Sequence, residues 1–144
     1  MTTSTTGLSA DARQVNFMLQ GFLREVPGVE QVIGVSSDGL LMAMATPMDR
    51  GDADKFAATV SGLSTLAVGA GKLLHKGALT QVITEFEGGY LVATLIRGRS
   101  CLGVVTSQDC DLGVVGYEAT MLVERVGELL TPELITELKS TLAR

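Results

Sequence analysis

Residues 52–76 read DADKFAATVSGLSTLAVGAGKLLHK, with charges only at the two ends. Between Phe56 and Gly71 there is no ionisable side chain. Phe56, Val60, Leu63, Ala67, Ala70 and Leu74 recur at steps of three and four, the spacing that lines one face of a helix. The opposite face carries Ala58, Ser61, Thr65 and Val68, flanked by Gly62 and Gly69. A surface helix ordinarily has a charged outer face, and a helix without one is buried or nearly so. The larger side chains are expected to pack on the protein's own sheet. The small, uncharged face then suits the close approach of a second backbone, with Lys72 at its far end. Gly62 and Gly69 strengthen that reading, because Gly inside a helix costs roughly 1 kcal/mol relative to Ala. The alternative is the central helix of a monomer, covered by its own chain. Asp49, Asp52 and Asp54 at one end, and Lys72 and Lys76 at the other, suit the helix dipole.

Working outward, the chain predicts helices and strands in a simple order. Ser9 caps a first helix whose stripe is Ala12, Val15, Leu19, Phe22 and Val26, ended by Pro27-Gly28. Val29 to Ser36 and Leu40 to Ala45 read as strands about a Ser37-Asp38-Gly39 turn. After the central helix, which Gly77 is expected to end, three strands follow: Ala78 to Phe86, Tyr90 to Ile96 and Cys101 to Thr106. Asp111 caps a further helix, and Thr131-Pro132 starts a last short one. The order is α-β-β-α-β-β-β-α with an appended helix. Short turns imply antiparallel pairing. The expected fold is an α/β (α+β) sandwich, a five-stranded antiparallel sheet between one central helix and two outer helices. The expected division is a flexible arm over 1–8, a domain over 9–130 and a helical extension over 131–144.

One domain is the natural count for 144 residues. A formal charge of −5 argues against general binding to nucleic acid or acidic membranes. Two cysteines, Cys101 and Cys110, are too few for a disulfide framework, so free thiols and a reducing compartment are expected. The start MTTSTTG lacks the basic and apolar runs of a signal peptide, and no uninterrupted apolar run approaches a membrane span. The expected location is cytoplasmic, without direct membrane insertion.

The inventory for catalysis is thin. His75 is the one histidine, placed where it meets helix-end carbonyls. Gly69-Ala70-Gly71-Lys72 imitates a phosphate loop but has Leu66 in place of the first Gly and Leu73 in place of the Ser or Thr. Asp109-Cys110-Asp111 lacks further clustered metal ligands and reads as a helix-entry loop. No catalytic, cofactor or metal residue is assigned. Arg97 and Arg99 form a basic hairpin tip, read either as a solvated turn or as a contact for an acidic partner surface. Asp52 and Lys55 are the other assigned partner contacts. The residues therefore point to a binding or regulatory module.

Three features together resemble the Roadblock/dynein light chain family. Val26-Pro27-Gly28-Val29 joins the first helix to the first strand, and Val35-Ser36-Ser37-Asp38-Gly39-Leu40-Leu41 makes the first hairpin. The small-residue helix Phe56 to Leu74 precedes a three-strand meander and another helix. The resemblance spans about Ser9 to Leu130. It implies a homodimer with paired central helices and third strands joining two sheets. It also implies a Ras-like small GTPase as partner, whose own groups supply the chemistry when bacterial, MglB-like members accelerate GTP hydrolysis. Other bacterial members sit in one signalling complex with a GTPase and a membrane sensor-kinase-like protein, so recruitment to the membrane by a partner is implied. A dimeric scaffold without effect on nucleotide turnover, and a small-ligand sensor, are the alternatives. The sensor reading requires a closed pocket between central helix and sheet.

Overall fold

The computed structural model describes residues 8–142. Residues 1–7 of the expected arm, and the last two residues of the extension, lie outside that range. Helix α1 (Ala10–Glu25) is capped by the Ser9 hydroxyl, which accepts from the Ala12 amide. Strands β1 (Val29–Val35) and β2 (Leu41–Ala45) form a hairpin whose Gly39 takes a φ of 83°. Helix α2 (Arg50–Leu73) crosses to β3 (Gln81–Phe86), β4 (Gly89–Leu95) and β5 (Cys101–Ser107). Helices α3 (Leu112–Leu129) and α4 (Pro132–Leu142) complete the order. Asp49, Asp111 and Thr131 each accept a backbone N–H at the helix start they precede.

The sheet is antiparallel throughout and runs β2-β1-β5-β4-β3. Helices α1 and α3 cover one face with a cluster containing Leu19, Phe22, Leu102, Val104 and Leu122. Leu134 and Leu138 of α4 belong to that same cluster. On the other face, α2 packs against Ile33, Val35, Leu41, Leu91 and Cys101. The sandwich expected from the sequence is therefore the fold. The third strand is shorter than expected: it begins at Gln81 rather than Ala78, because residues 77–80 are used in crossing from helix to sheet.

The central helix presents a different face from the expected one. Ala53, Ala57, Val60 and Ser64 are buried, while Phe56, Leu63 and Ala67 sit half-buried at the flank. Ala70 and Leu74, expected in the core, are exposed. The reason lies in β5. A Cβ added to Gly103 would stand 2.9 Å from Val60 Cγ2 and 3.2 Å from Ile33 Cγ1. The helix rides that low because Gly103 has no side chain, and at that height only small residues fit beneath it. Periodicity fixes a stripe spacing, but steric height chooses which stripe turns inward.

The end of α2 also differs from expectation. Lys76 N–H donates to Gly71 O at 2.9 Å and His75 N–H to Lys72 O at 3.3 Å. These are the two bonds of a Schellman cap, and His75 rather than Gly77 takes the left-handed position, at a φ of 57°. Gly71 is needed for another reason: a Cβ there would lie 2.8 Å from Gly77 O, where the chain folds back past the helix.

The close approach at Gly103 is testable. Gly103→Ala should destabilise the protein by about 1–3 kcal/mol, the usual cost of overpacking. Combined with Val60→Ala, the loss should be smaller than the sum of the two single losses, because the second change removes the methyl that clashes. Urea denaturation of the four proteins measures this. Strict additivity would mean that α2 does not rest on β5 at this point.

Candidate protein-interaction face

Along the side of α2 away from the sheet run Thr59, Gly62, Leu66, Gly69 and Leu73, at alternating steps of three and four. All five are exposed. Leu66 is 75% exposed, Leu73 77% and Leu74 61%. A Cβ at Gly62 or Gly69 would meet nothing within 4 Å, so nothing in the chain itself requires glycine at either position. By length and composition α2 is apolar enough to cross a membrane, unlike the expectation from uninterrupted runs, yet only 17% of its most apolar window is buried. Its other side is fixed on the sheet through Val60 and Ser64, so the uncovered stripe is one face of a docked helix.

The sequence-assigned interface residues divide between two environments. Ala58, Gly62, Thr65, Gly69 and Lys72 are exposed. Ser61 and Val68 are half-buried and turn toward the chain's own hairpins. A Cβ on Gly39 would be 3.4 Å from Ser61 Oγ, and Ser61 and Val68 line a notch shared with Ser37 and Arg99. Leu66 and Leu73 were not among the assigned residues, and Leu74 was placed in the core. Their signal was present: Leu66 and Leu73 each follow an unexplained glycine by four residues.

The strand order leaves β3 as an edge. It pairs only with β4, and Ile83 and Phe86 on it are 48% and 58% exposed. Such an edge offers unpaired backbone groups to another strand. At the N-terminal end of α2, Asp52 and Lys55 are exposed. At the opposite end, Arg97 and Arg99 are exposed on a single 3₁₀ turn, where Gly98 and Arg99 both take positive φ. Among the described residues neither arginine has a carboxylate within salt-bridge distance. Between that turn and α2 lies an open groove of roughly 410 Å³ with Val68, Leu79 and Leu95 on its apolar side and Lys72, His75 and Arg99 around it.

The space under α2 is nearly filled. Beside Ser64, Cys101 and Ser37 the opening is about 20 Å³, room for a single water. Among the described residues no three His, Cys, Asp or Glu side chains gather as a metal site would require. Both cysteines are free and cannot meet: Cys101 faces α2 at the start of β5, whereas Cys110 packs on the opposite side beyond its end. Burial pushes the Cys101 thiol up, and the Ser64 hydroxyl 3.4 Å away and Arg99 pull it back only in part.

The Roadblock/LC7 domain family profile matches residues 16–106. The Roadblock/LC7 domain from Streptomyces avermitilis is 31% identical, with a TM-score of 0.73 over 77% of this chain and 92% of that one. Myxococcus xanthus MglB has a TM-score of 0.74 at 18% identity, over 81% of this chain and 94% of its own. A structure described as MglB with tetrameric arrangement has a TM-score of 0.76 at 17% identity, over 85% and 91%. At those identities the two MglB structures share the fold. No curated protein matches the sequence.

The two thiols give a direct check on the packing beneath α2. In native protein near pH 8, a thiol reagent should modify Cys110 first and Cys101 slowly. The Cys101 rate should rise only at pH values above those of an ordinary thiol, since its thiolate is disfavoured. Unfolded protein kept from air should release two thiols. Equal native rates would mean that α2 does not cover Cys101.

Proposed function

The chain belongs to the Roadblock/LC7 domain family, and from that premise we propose that it is a non-catalytic homodimeric regulator of a Ras-like small GTPase. One observation carries the reading: an uncharged α2 face is left uncovered in a chain whose sheet also ends in an open β3 edge. A second copy would cover both features with one two-fold operation. Helix would meet helix, strand would meet strand, and each contact would occur twice. The MglB fold neighbours support the regulatory part.

The catalytic groups in this reading belong to the GTPase, and this chain shapes or holds it. Arg97 and Arg99 are the contacts proposed for an acidic patch on that partner, with Asp52 and Lys55 at the other end of the paired helices. The left-handed backbone at Arg99 supports that role, since a non-glycine residue held there carries strain of the kind that gathers at functional sites. The complex acts in the cytoplasm and is brought to the membrane by a sensor-kinase-like partner. A scaffold that leaves nucleotide turnover unchanged uses the same surfaces, so a GTP-hydrolysis assay separates the two. The ligand-sensor reading loses support because the space beneath α2 holds no more than a water.

Charge placed on the uncovered face tests the dimer. Thr65→Arg, Leu66→Arg or Ala58→Glu would bring like charges together across a two-fold axis, and burying each unpaired charge costs several kcal/mol. Each variant should scatter light as a monomer at micromolar concentration, or unfold where no monomer is stable. Each should lose the GTPase recovered by wild-type protein from native cell extract and its effect on GTP hydrolysis. Glu124→Lys, exposed on α3, should change none of these. Folded, dimeric Leu66→Arg protein would remove the α2 face from the interface. Dimeric wild-type protein that binds no GTPase would leave the interface and remove the regulator.

A further inference from the structure

A five-stranded sheet has two edges, and here they are treated differently. Strand β3 is open, whereas β2, which pairs only with β1, lies against α4. Helix α4 passes from one face of the sheet to the other across that edge. Leu134 and Leu138 are anchored in the cluster under α1 and α3, and Leu142 packs with the cluster under α2. Polar ties hold the helix from its middle to its C-terminal end. Ser9 N–H donates to Glu137 at 2.7 Å, Lys139 Nζ pairs with Asp38 on the β1–β2 turn at 3.1 Å, and Arg50 donates to the Leu142 carbonyl. An 11-residue helix is too short to persist alone in water, so its place depends on these contacts.

We propose that α4 is an edge guard: it closes β2 to strand pairing, so that copies of this chain join only through β3 and assembly stops at the pair. The choice of β3 as the joining edge rests on the dimer reading above. A β3–β3 pair is isologous and closes on itself. It would leave a β2 edge at each end of the joined sheet. An unguarded edge there would recruit further copies into an open chain of strands, the usual hazard of a free sheet edge. The guard lies outside residues 16–106, the segment matched by the family profile.

Hydrogen exchange and light scattering on the full chain test the guard. Arg50→Glu with Lys139→Glu removes the tie to Leu142 and places two acidic groups together at Asp38, without touching either buried cluster. Amides of β2 should then exchange faster than in wild type, while those of β4 and β5 are unchanged. At micromolar concentration the variant should form species larger than wild type. Adding Met44→Lys, at the one half-buried position of β2 and beside the α2 cluster, puts a charge on the edge strand and should return the wild-type size, with circular dichroism checking that the variant stays folded. Leu138→Ala, which shortens one buried anchor, should give the same two changes. Wild-type exchange in β2 for both loosened proteins would overturn the guard. Faster exchange without larger species would also overturn it, as would large species that persist with Met44→Lys, since those would come from exposed leucines and not from strand pairing. Monomeric wild-type protein would sink the dimer reading instead, and the guard would still be judged by the same comparison.

Discussion

The contact of Val60 with β5 above Gly103 governs the rest of the molecule. With no side chain at Gly103, α2 settles close to the middle strand and turns its small residues Ala53, Ala57 and Ser64 inward. Bulk on that helix must then go elsewhere. Phe56 and Leu63 occupy the flank, and Leu66, Leu73 and Leu74 are left outside. The apolar exterior is thus a consequence of how the interior is packed. A larger residue in β5 would lift the helix and bring a different stripe inward.

The molecule is also asymmetric across its sheet. The β2 side has a helix running over its edge, an ion pair and two buried leucines; β3 touches α2 and α3 only from the sheet's faces and has no ion pair among the described residues. The two edges of the sheet are thus unequal, with unpaired backbone left open on β3 beside the exposed Ile83 and Phe86. The basic turn at 97–99 stands out in a chain with a formal charge of −5, and in the proposed complex it would give an acidic partner a local target.

Much of this was legible in the residues. Caps at Ser9, Asp111 and Thr131, the turn at Gly39 and the antiparallel order all follow from local rules that the structure obeys. The face of α2 was not legible, because two stripes of that helix satisfy the same periodicity and a single glycine distant in sequence, Gly103 on β5, decides between them. The helix end was misread for a related reason. Gly77 is the better left-handed residue by type, but the hydrogen-bond count places the cap at His75 and gives Gly77 to the passage beside Gly71. The exposed leucines could have been found: glycines that cost helix stability with no packing reason inside the chain point outward, and Leu66 and Leu73 share their stripe.

Magnitudes decide what the uncovered face can achieve. Burying a leucine contributes about 1.5–3 kcal/mol. Leu66, Leu73 and Leu74 are each more than half exposed, and a two-fold contact counts each of them twice. Their combined gain is then on the order of 10 kcal/mol. Association itself costs an estimated 4–15 kcal/mol in lost freedom, so the leucines alone bring the pair close to balance. In the proposed dimer, strand pairing at β3 would add backbone hydrogen bonds worth about 1 kcal/mol net each. Close helix approach at Gly62 and Gly69 adds dispersion contacts that larger residues would prevent. Against a cost of that range the leucines do not guarantee a surplus, and a geometry that engages both helix and edge is the one that enlarges it.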